Sequence, residues 1–171
     1  MSPFALVKSS TEHIAQLQSW FKNQQEIYTW GAISCPMSST EFVHHLRAYH
    51  LNSYSLSDKQ QYLLAFGQHY LRLNRHHLGR LVVNPEHRGK GLAKLLINKL
   101  IDKAFEQQNA QGVSLFVFRD NLSAYKCYQS LGFVECDYPQ TMPGNVQNCA
   151  YMILPERELS SETFTSSDPG F

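Results

Sequence analysis

The chain has 171 residues, 43% of them hydrophobic and 17% charged, which fits one globular domain and excludes a disordered or fibrous protein. Its 15 lysines and arginines nearly balance its 14 acidic residues, so the net charge of +1 argues against a cationic surface for DNA or RNA. The longest apolar runs are far shorter than the roughly 20 residues that cross a bilayer, so no membrane partner is expected.

The first half of the chain changes from helix patterns to strand patterns. Apolar residues at helical spacing predict two helices, which follow a short strand and are separated by a loop that holds Gly31 and Pro36. The spacing of the apolar residues then changes to every second position, which is typical of strands. In chain order, the predicted elements are a strand at Phe4–Val7, a helix from Ser10 or Thr11 to about Phe21, a loop at Tyr28–Ser38, a helix that begins at Ser39 or Thr40, and strands at Ser53–Leu56, Gln61–Tyr70 and Leu78–Val83.

The second half begins with a long helical pattern in which apolar residues recur every three or four positions. Gly112 stops this pattern, and a mostly apolar run of the buried-strand type follows it. In chain order, the predicted elements are a helix at Leu92–Gln108, a strand at Val113–Phe118, a helix at Ala124–Leu131, and strands at Phe133–Cys136 and Cys149–Leu154. We expect a single domain over residues 1–156 and a mobile, polar tail over residues 157–171.

The segment Leu81–Ala93 places a strand, a tight turn and the start of a long helix in direct succession. Its turn reads Arg88-Gly89-Lys90-Gly91, and glycines let the backbone adopt a positive φ and come close to a ligand. The first amides of a helix have no partner within it and, together with the helix dipole, attract an anion. The pattern therefore predicts a phosphate or pyrophosphate site, and the alternative is a glycine-rich turn with solvated charges. A P-loop or a dinucleotide fingerprint fits poorly, because no Gly-Lys-Ser/Thr is present and Lys94 replaces the third glycine.

With this motif the sequence resembles the GNAT superfamily of N-acetyltransferases. The superfamily's pyrophosphate motif, Arg/Gln-x-x-Gly-x-Gly/Ala, reads Arg88-Gly89-Lys90-Gly91-Leu92-Ala93 here. A second superfamily element, an asparagine after a strand and then a helix that ends in Leu-Gly-Phe, spans Asn121–Phe133. The resemblance covers about Leu78–Cys136. It implies an α+β fold in α/β/α layers, with a mixed, mostly antiparallel central sheet of about six or seven strands flanked by about four helices.

The resemblance also implies acetyl-CoA as co-substrate and a role for each motif residue. The Val83 backbone amide would stabilise the oxyanion, Asn121 would bind the cofactor arm, and Tyr128 would protonate the leaving thiolate as general acid. The residues implied to contact the cofactor are Leu81, Val82, Val83, Arg88, Gly89, Lys90, Gly91, Leu92, Ala93, Lys94, Asn121 and Tyr128. Alternatives remain open, because Asn121 or Ser123 could cap the next helix and Tyr125 lies on nearly the same helix face as Tyr128.

The general base is not identified by the sequence. Some relatives carry a glutamate five residues before the asparagine, where this chain has Phe116, and Ser114–Phe118 holds no carboxylate. The candidates are therefore His69, His76, His77 or a water molecule. Neighbouring strand residues point to opposite faces, so only one of His76 and His77 is expected to face the site. No histidine spacing predicts a metal site.

The amine acceptor is expected to bind among the N-terminal helices and their loop. Tyr28 and Trp30 could form an aromatic wall beside Glu26 or Glu41, although Trp30 could equally be a core residue. A small-molecule amine is favoured as the acceptor over a protein or peptide N-terminus. The protein itself is expected to be a monomer or a homodimer. The alternative function is a non-catalytic sensor or scaffold that binds acyl-CoA on the same fold.

The cysteines and the N-terminus bear on compartment and mechanism. The four cysteines show no Cys-x-x-Cys spacing and no secretory signal is apparent, so a cytoplasmic protein with reduced thiols is expected. Cys127 is next to Tyr128 on a helix and so is expected to point elsewhere. A direct attack by the amine is therefore expected, rather than an acyl-cysteine intermediate.

Overall fold

The computed structural model describes residues 3–31, 39–46, 52–107 and 110–155. Within these ranges it contains seven strands and five α-helices. The strands are β1 (Ala5–Lys8), β2 (Asn52–Ser57), β3 (Leu63–Arg72), β4 (Arg75–Val83), β5 (Val113–Phe118), β6 (Val134–Cys136) and β7 (Cys149–Leu154), and the helices are α1 (Thr11–Ser19), α2 (Gln24–Gly31), α3 (Ser39–Leu46), α4 (Leu92–Phe105) and α5 (Leu122–Ser130). The tail predicted over residues 157–171 lies outside the described residues.

The strands form one sheet in the order β1-β2-β3-β4-β5-β7-β6. All neighbouring strands are antiparallel except β4 and β5, which are parallel. This confirms the predicted α+β fold with a mixed, mostly antiparallel sheet. The described helices number five rather than about four, because one helix was not predicted.

Helices cover both faces of the sheet and so produce the α/β/α layers. On one face, α4 buries Leu96, Ile97 and Leu100 in the larger apolar cluster. On the other face, α1 and α3 bury a smaller cluster, which contains Ile14, Leu17, Phe42, Leu46, Leu63 and Phe66. Val83 packs against the first cluster and its neighbour Val82 against the second, as the alternation of side chains along a strand requires.

The helix α2 corrects the loop predicted at Tyr28–Ser38, since residues 28–31 are helical and residues 32–38 lie outside the described ranges. Asn23 accepts a hydrogen bond from the Glu26 amide (3.0 Å), and the Glu26 carboxylate accepts one from the Lys22 amide (2.8 Å). This is close to a capping box. The spacing of Asn23 and Glu26 was therefore a helix signal, but only Ile27 is buried and no apolar period accompanied it.

The strand β4 begins at Arg75, three residues before the predicted start at Leu78. Its added residues include His76 and His77, each only 1% exposed. Histidines have no strong strand signal, and their burial depends on partners contributed by other elements. Among the described residues, none of the helices has the length and hydropathy needed to cross a membrane.

Candidate active site

The central feature of the site is a gap between β4 and β5. These strands pair at three consecutive positions, the last of which joins Leu78 to Leu115. β4 then continues to Val83 and β5 to Phe118 without further mutual pairing, so the two strands separate. A cleft of about 1060 Å³ occupies the gap, and residues of α2, β4, β5, α4 and α5 line it.

The glycine turn before α4 is open toward this cleft. Gly91 is the N-cap of α4 in the left-handed conformation (φ 77°), and no side chain caps the helix. Gly89 also has a positive φ of 75°. A Cβ built on either glycine would meet no heavy atom within 4 Å, so the turn is not occluded. The amides of the first turn of α4 therefore have no helix partner and border space for an anion.

The structure brings the predicted cofactor residues together along this cleft. The lining includes eleven of the twelve, namely Leu81, Val82, Val83, Arg88, Gly89, Gly91, Leu92, Ala93, Lys94, Asn121 and Tyr128. The exception is Lys90, which is exposed and outside the lining. Of the two cations in the turn, Arg88 is thus the one that borders the cleft.

The backbone of β4 presents a donor to the gap. The Asn84 amide donates to the Leu64 carbonyl next to β3 (2.9 Å). Successive amides along a strand point to opposite edges, so the Val83 amide points away from β3 and toward the gap. The N–H of Val83 is therefore available to a ligand that lies between β4 and β5.

A β-bulge bends β4 beside the gap. The register with β3 shifts between Phe66 and Gln68, so that Arg80 and Leu81 together face one residue of β3. Arg80 has a positive φ of 51°, which is uncommon for a residue with a side chain. The indole N–H of Trp30 donates to the Arg80 carbonyl (2.8 Å) and ties α2 to the bulge. Nothing in the local sequence indicated this bulge.

Tyr128, on α5, faces the cleft with 8% of its surface exposed. Burial raises the pKa of its phenol, so the group stays protonated throughout the physiological range. Tyr125 points away from the cleft lining and donates to the Glu135 carboxylate (2.7 Å). The geometry thus separates the two tyrosines that the sequence left in competition.

Asn121 both caps the helix α5 and lies in the cleft lining. Its Oδ1 accepts from the Ala124 amide (3.4 Å), so Asn121 rather than Ser123 caps α5. Asn121 also lines the cleft. The cap uses Oδ1 and not Nδ2, so the side-chain amide protons can serve a ligand.

Cys127, which was expected to point elsewhere, lines the same long cleft as Tyr128. The cleft is wide enough to contact adjacent positions of α5. Burial raises the pKa of the Cys127 thiol, which keeps it protonated at neutral pH. A protonated thiol is a poor nucleophile, so its location alone does not favour an acyl-cysteine route.

The histidines divide as the alternation of β4 predicts. His77 lines the cleft, and its Nδ1 lies 2.9 Å from the Ser114 hydroxyl. Burial, reinforced by the positive charge of Arg72, lowers the pKa of His77 to about 3. His76 points the other way, where its Nδ1 lies 2.6 Å from Nε2 of His69. The described ranges hold no group of three side chains placed to ligate a metal.

The N-terminal residues predicted for the acceptor are only partly placed in the cleft. Trp30 lines it, but its ring also stacks on Phe21 with centroids 4.6 Å apart and on Phe42 with centroids 5.9 Å apart. Trp30 is thus both a core residue and a wall of the cleft.

Tyr28 lies outside the cleft lining and is 41% exposed, with its ring centroid 5.8 Å from that of Phe118. The two acidic residues also separate, because Glu26 lines the cleft and Glu41 does not. The predicted aromatic wall therefore comes from Trp30 without Tyr28.

Sequence reasoning missed the aromatic end of the cleft. There the guanidinium carbon of Arg72, at the end of β3, lies 5.6 Å from the ring centroid of Tyr70 and 5.3 Å from that of Phe116. Its Nη1 donates to the Tyr138 hydroxyl (3.2 Å). These residues come from β3, β5 and the segment after β6, so no local motif could have grouped them.

Comparisons with known proteins agree with this geometry. The sequence model described as "Acetyltransferase (GNAT) family" matches residues 15–133. Among solved structures, the spermidine N-acetyltransferase of Vibrio cholerae in complex with CoA and spermine superposes with a TM-score of 0.70 at 22% identity. That alignment covers 90% of this chain and 97% of the other, and it shows a shared fold.

Two curated proteins share a shorter segment. Spermidine N(1)-acetyltransferase of Vibrio cholerae is 39% identical over 56 residues, which are 33% of this chain and 32% of that protein. The N-terminal acetyltransferase B complex catalytic subunit NAA20 of Arabidopsis thaliana is 40% identical over 58 residues, which are 34% of this chain and 33% of that protein. The chain thus aligns with about a third of the length of each.

Proposed function

The chain belongs to the GNAT family of acetyltransferases, and we propose that it transfers the acetyl group of acetyl-CoA to a primary amine by direct attack within a ternary complex. The observation that carries the proposal is the uncapped, open start of α4, which lies beside the gap between β4 and β5. When bound, acetyl-CoA supplies an acetyl group activated as a thioester. Every other task in the reaction falls to residues along the cleft.

The first task is to hold the cofactor. The amides of Leu92, Ala93 and Lys94 bind the pyrophosphate, and the helix dipole adds roughly 0.3–1 kcal/mol at such a site. Residues 81–83 of β4 pair with the pantetheine arm as if it were a further strand, which fills the gap left by β5. The Nδ2 of Asn121 donates to the same arm.

The second task is to stabilise the charge that develops as the amine attacks. The Val83 amide donates to the thioester oxygen as it becomes negative, and a preorganised donor of this kind contributes about 3–4 kcal/mol. As the C–S bond breaks, the Tyr128 phenol donates its proton to the leaving thiolate. Its raised pKa keeps that proton in place until then.

The amine must also lose a proton before attack. His77 borders the cleft, but a histidine whose pKa is lowered to about 3 is a weak base toward an ammonium. His76 is bonded to His69 and lies outside the cleft lining, as does His69. Of the candidates that the sequence left open, this leaves water to carry the proton away.

A small-molecule amine fits the acceptor end better than a polypeptide. The bulky apolar residues Phe21, Trp30, Met142 and Pro143 line the cleft, which suits a compact acceptor. The names of the relatives include both classes, a polyamine and a protein N-terminus. We place the enzyme in the cytoplasm, where the free thiols of Cys127, Cys136 and Cys149 stay reduced.

The test is a screen of amines with acetyl-CoA, which detects the released CoA thiol and confirms acetylated products by mass spectrometry. The panel includes amino acids, polyamines and peptides with a free N-terminus. We expect transfer to a small amine, intersecting lines when both substrates are varied, and retained turnover in Cys127→Ala.

Two results would contradict the proposal. Tight binding of acetyl-CoA without transfer to any amine would favour the acyl-CoA sensor or scaffold. Parallel lines together with loss of activity in Cys127→Ala would favour a covalent route through that thiol.

A further inference from the structure

The Arg72 guanidinium is a half-buried cation that borders the cleft and keeps a donor free for a ligand. An arginine carries five N–H donors and stays charged. Here Nη1 donates to the Tyr138 hydroxyl, and the buried Nε has no hydrogen-bond partner. Within the described residues the ion pairs are Lys103–Glu106 and Arg119–Glu135, so no carboxylate neutralises Arg72. Among the described side chains this cation therefore has no anionic partner.

The position of Arg72 relates it to the reaction. Phe116 is the first residue of β5 beyond the last β4–β5 pair, which joins Leu78 to Leu115. The guanidinium carbon lies 5.3 Å from the Phe116 ring centroid, so the charge sits where the two strands begin to separate. Both residues line the cleft. Under the proposed function the acetyl group would lie farther along the same gap, beside the amide of Val83, which is five residues beyond Leu78 on β4.

The surroundings hold Arg72 in place rather than leave it mobile. The Tyr70 ring is a second aromatic contact, with its centroid 5.6 Å from the guanidinium carbon. Gly79 makes room for that ring, because a Cβ at Gly79 would lie 3.3 Å from it. A guanidinium fixed by aromatic rings is preorganised to bind a planar carboxylate through two parallel hydrogen bonds.

The charges along the cleft disfavour a polyamine at this end. Glu26 and Asp120 are the carboxylates of the described lining, and both are exposed. The half-buried Arg72 would repel a second ammonium that approached the gap.

We propose that Arg72 binds a carboxylate of the acceptor, so that the amines acetylated here carry a carboxylate, as amino acids do. This inference rests on the proposed acetyltransferase function. It names the acceptor class as amino-carboxylates rather than polyamines.

The test compares free amino acids with their carboxamides, which keep the amine and lose the negative charge, and includes spermidine. We expect the wild-type kcat/KM for the best amino acid to exceed that for its amide by roughly 10- to 100-fold, the usual value of a hydrogen-bonded charge pair. Arg72→Gln should abolish this preference by raising KM for the acid, with little change for the amide. Arg72→Lys should restore part of it, and Arg75→Gln, at the start of β4, should leave it unchanged.

Binding is measured alongside transfer, by calorimetry of amino acids and amides with CoA-loaded protein. Acetyl-CoA affinity, measured in each variant, shows that Arg72→Gln still folds. Transfer without any preference for acids, or a preference that survives Arg72→Gln, would overturn the inference and leave the acetyltransferase proposal intact. Acid-selective binding that depends on Arg72 but leads to no transfer would uphold the inference as a binding site and overturn the proposed function.

Discussion

At the scale of single residues, the environment of each tyrosine on α5 decides its chemistry. Tyr128 is buried and faces the cleft, whereas the Tyr125 hydroxyl donates a hydrogen bond to the Glu135 carboxylate near the surface. We expect Tyr128→Phe to lower kcat by roughly 10²–10⁴, because it removes one general acid and leaves the ring that packs in the core. The affinity for acetyl-CoA, measured by calorimetry, should change little.

The matched control for this prediction is Tyr125→Phe, which removes a hydroxyl from the same helix. We expect that variant to keep nearly full turnover. If Tyr128→Phe turned over as fast as the wild type, the phenol would have no part in protonating the thiolate.

A second prediction at the residue scale concerns His77 and the dependence of the free energy of unfolding on pH. Burial and Arg72 lower its pKa in the folded protein to about 3, whereas an unfolded chain has a histidine pKa near 6.5. Below pH 6.5 the unfolded state therefore binds a proton at His77 that the folded state does not bind. The free energy of unfolding falls as pH falls, by up to about 1.4 kcal/mol per pH unit. Above pH 6.5 this contribution is flat.

Urea unfolding between pH 4.5 and 6 measures that slope. His77→Gln should reduce it by up to about 1.4 kcal/mol per pH unit, since glutamine binds no proton. The exposed His45, changed to glutamine, should leave the slope as it is. An unaltered slope in His77→Gln would mean that the folded protein protonates this imidazole as readily as the unfolded chain does.

At the scale of elements, the start of α4 is the proposed pyrophosphate site. Gly91→Glu adds a negative charge and bulk where the pyrophosphate would lie, so binding of acetyl-CoA should become undetectable by calorimetry. Gly91→Ala is the matched control, because both variants strain a φ of 77° but alanine points a small, neutral Cβ into open space. It should lose about 1 kcal/mol of stability and retain measurable binding. Equal affinity of the two variants for acetyl-CoA would contradict a pyrophosphate site at the start of α4.

The sequence predicts an element well when the element's own residues carry a helix or strand pattern, and poorly when contacts with other elements stabilise it. Val113–Phe118 and Cys149–Leu154 were predicted with the observed bounds, because both are dense in strand-forming residues and both lie inside the sheet. The helix α2 was missed, since its capping signal was not joined by an apolar period. β4 was predicted too short, because its first residues are polar groups that only tertiary contacts bury.

The same reasoning explains which site residues could be predicted. The glycine turn and Tyr128 belong to motifs that are continuous in sequence, so a resemblance identifies them. Arg72 and Tyr138 are 66 positions apart and meet only after β3 and the segment beyond β6 have packed. The bulge at Arg80 likewise depends on Trp30, which lies 50 residues away.

At the scale of the whole molecule, the sheet has a narrow junction between its two parts. β4 and β5 share three residue pairs, whereas β3 pairs with β4 at seven positions and β5 with β7 at six. The cofactor arm proposed to lie in the gap would add backbone hydrogen bonds to β4 and contacts to β5 and α5. Ligand binding should therefore stiffen the junction and stabilise the fold, by about 2.7 kcal/mol at a ligand concentration 100 times Kd.

Hydrogen exchange with and without coenzyme A tests this at the level of individual segments. We expect slower exchange at Val83, whose amide points into the gap, and in the first turn of α4, with no change in β1 and β2, which lie at the far edge of the sheet. Gly91→Glu should show none of this protection at the same coenzyme A concentration. If protection appeared in the first turn of α4 while β4 exchanged as before, the pyrophosphate site would stand and the pairing of the arm with β4 would be wrong, because a strand that gains a hydrogen-bonded neighbour must protect the amides that face it.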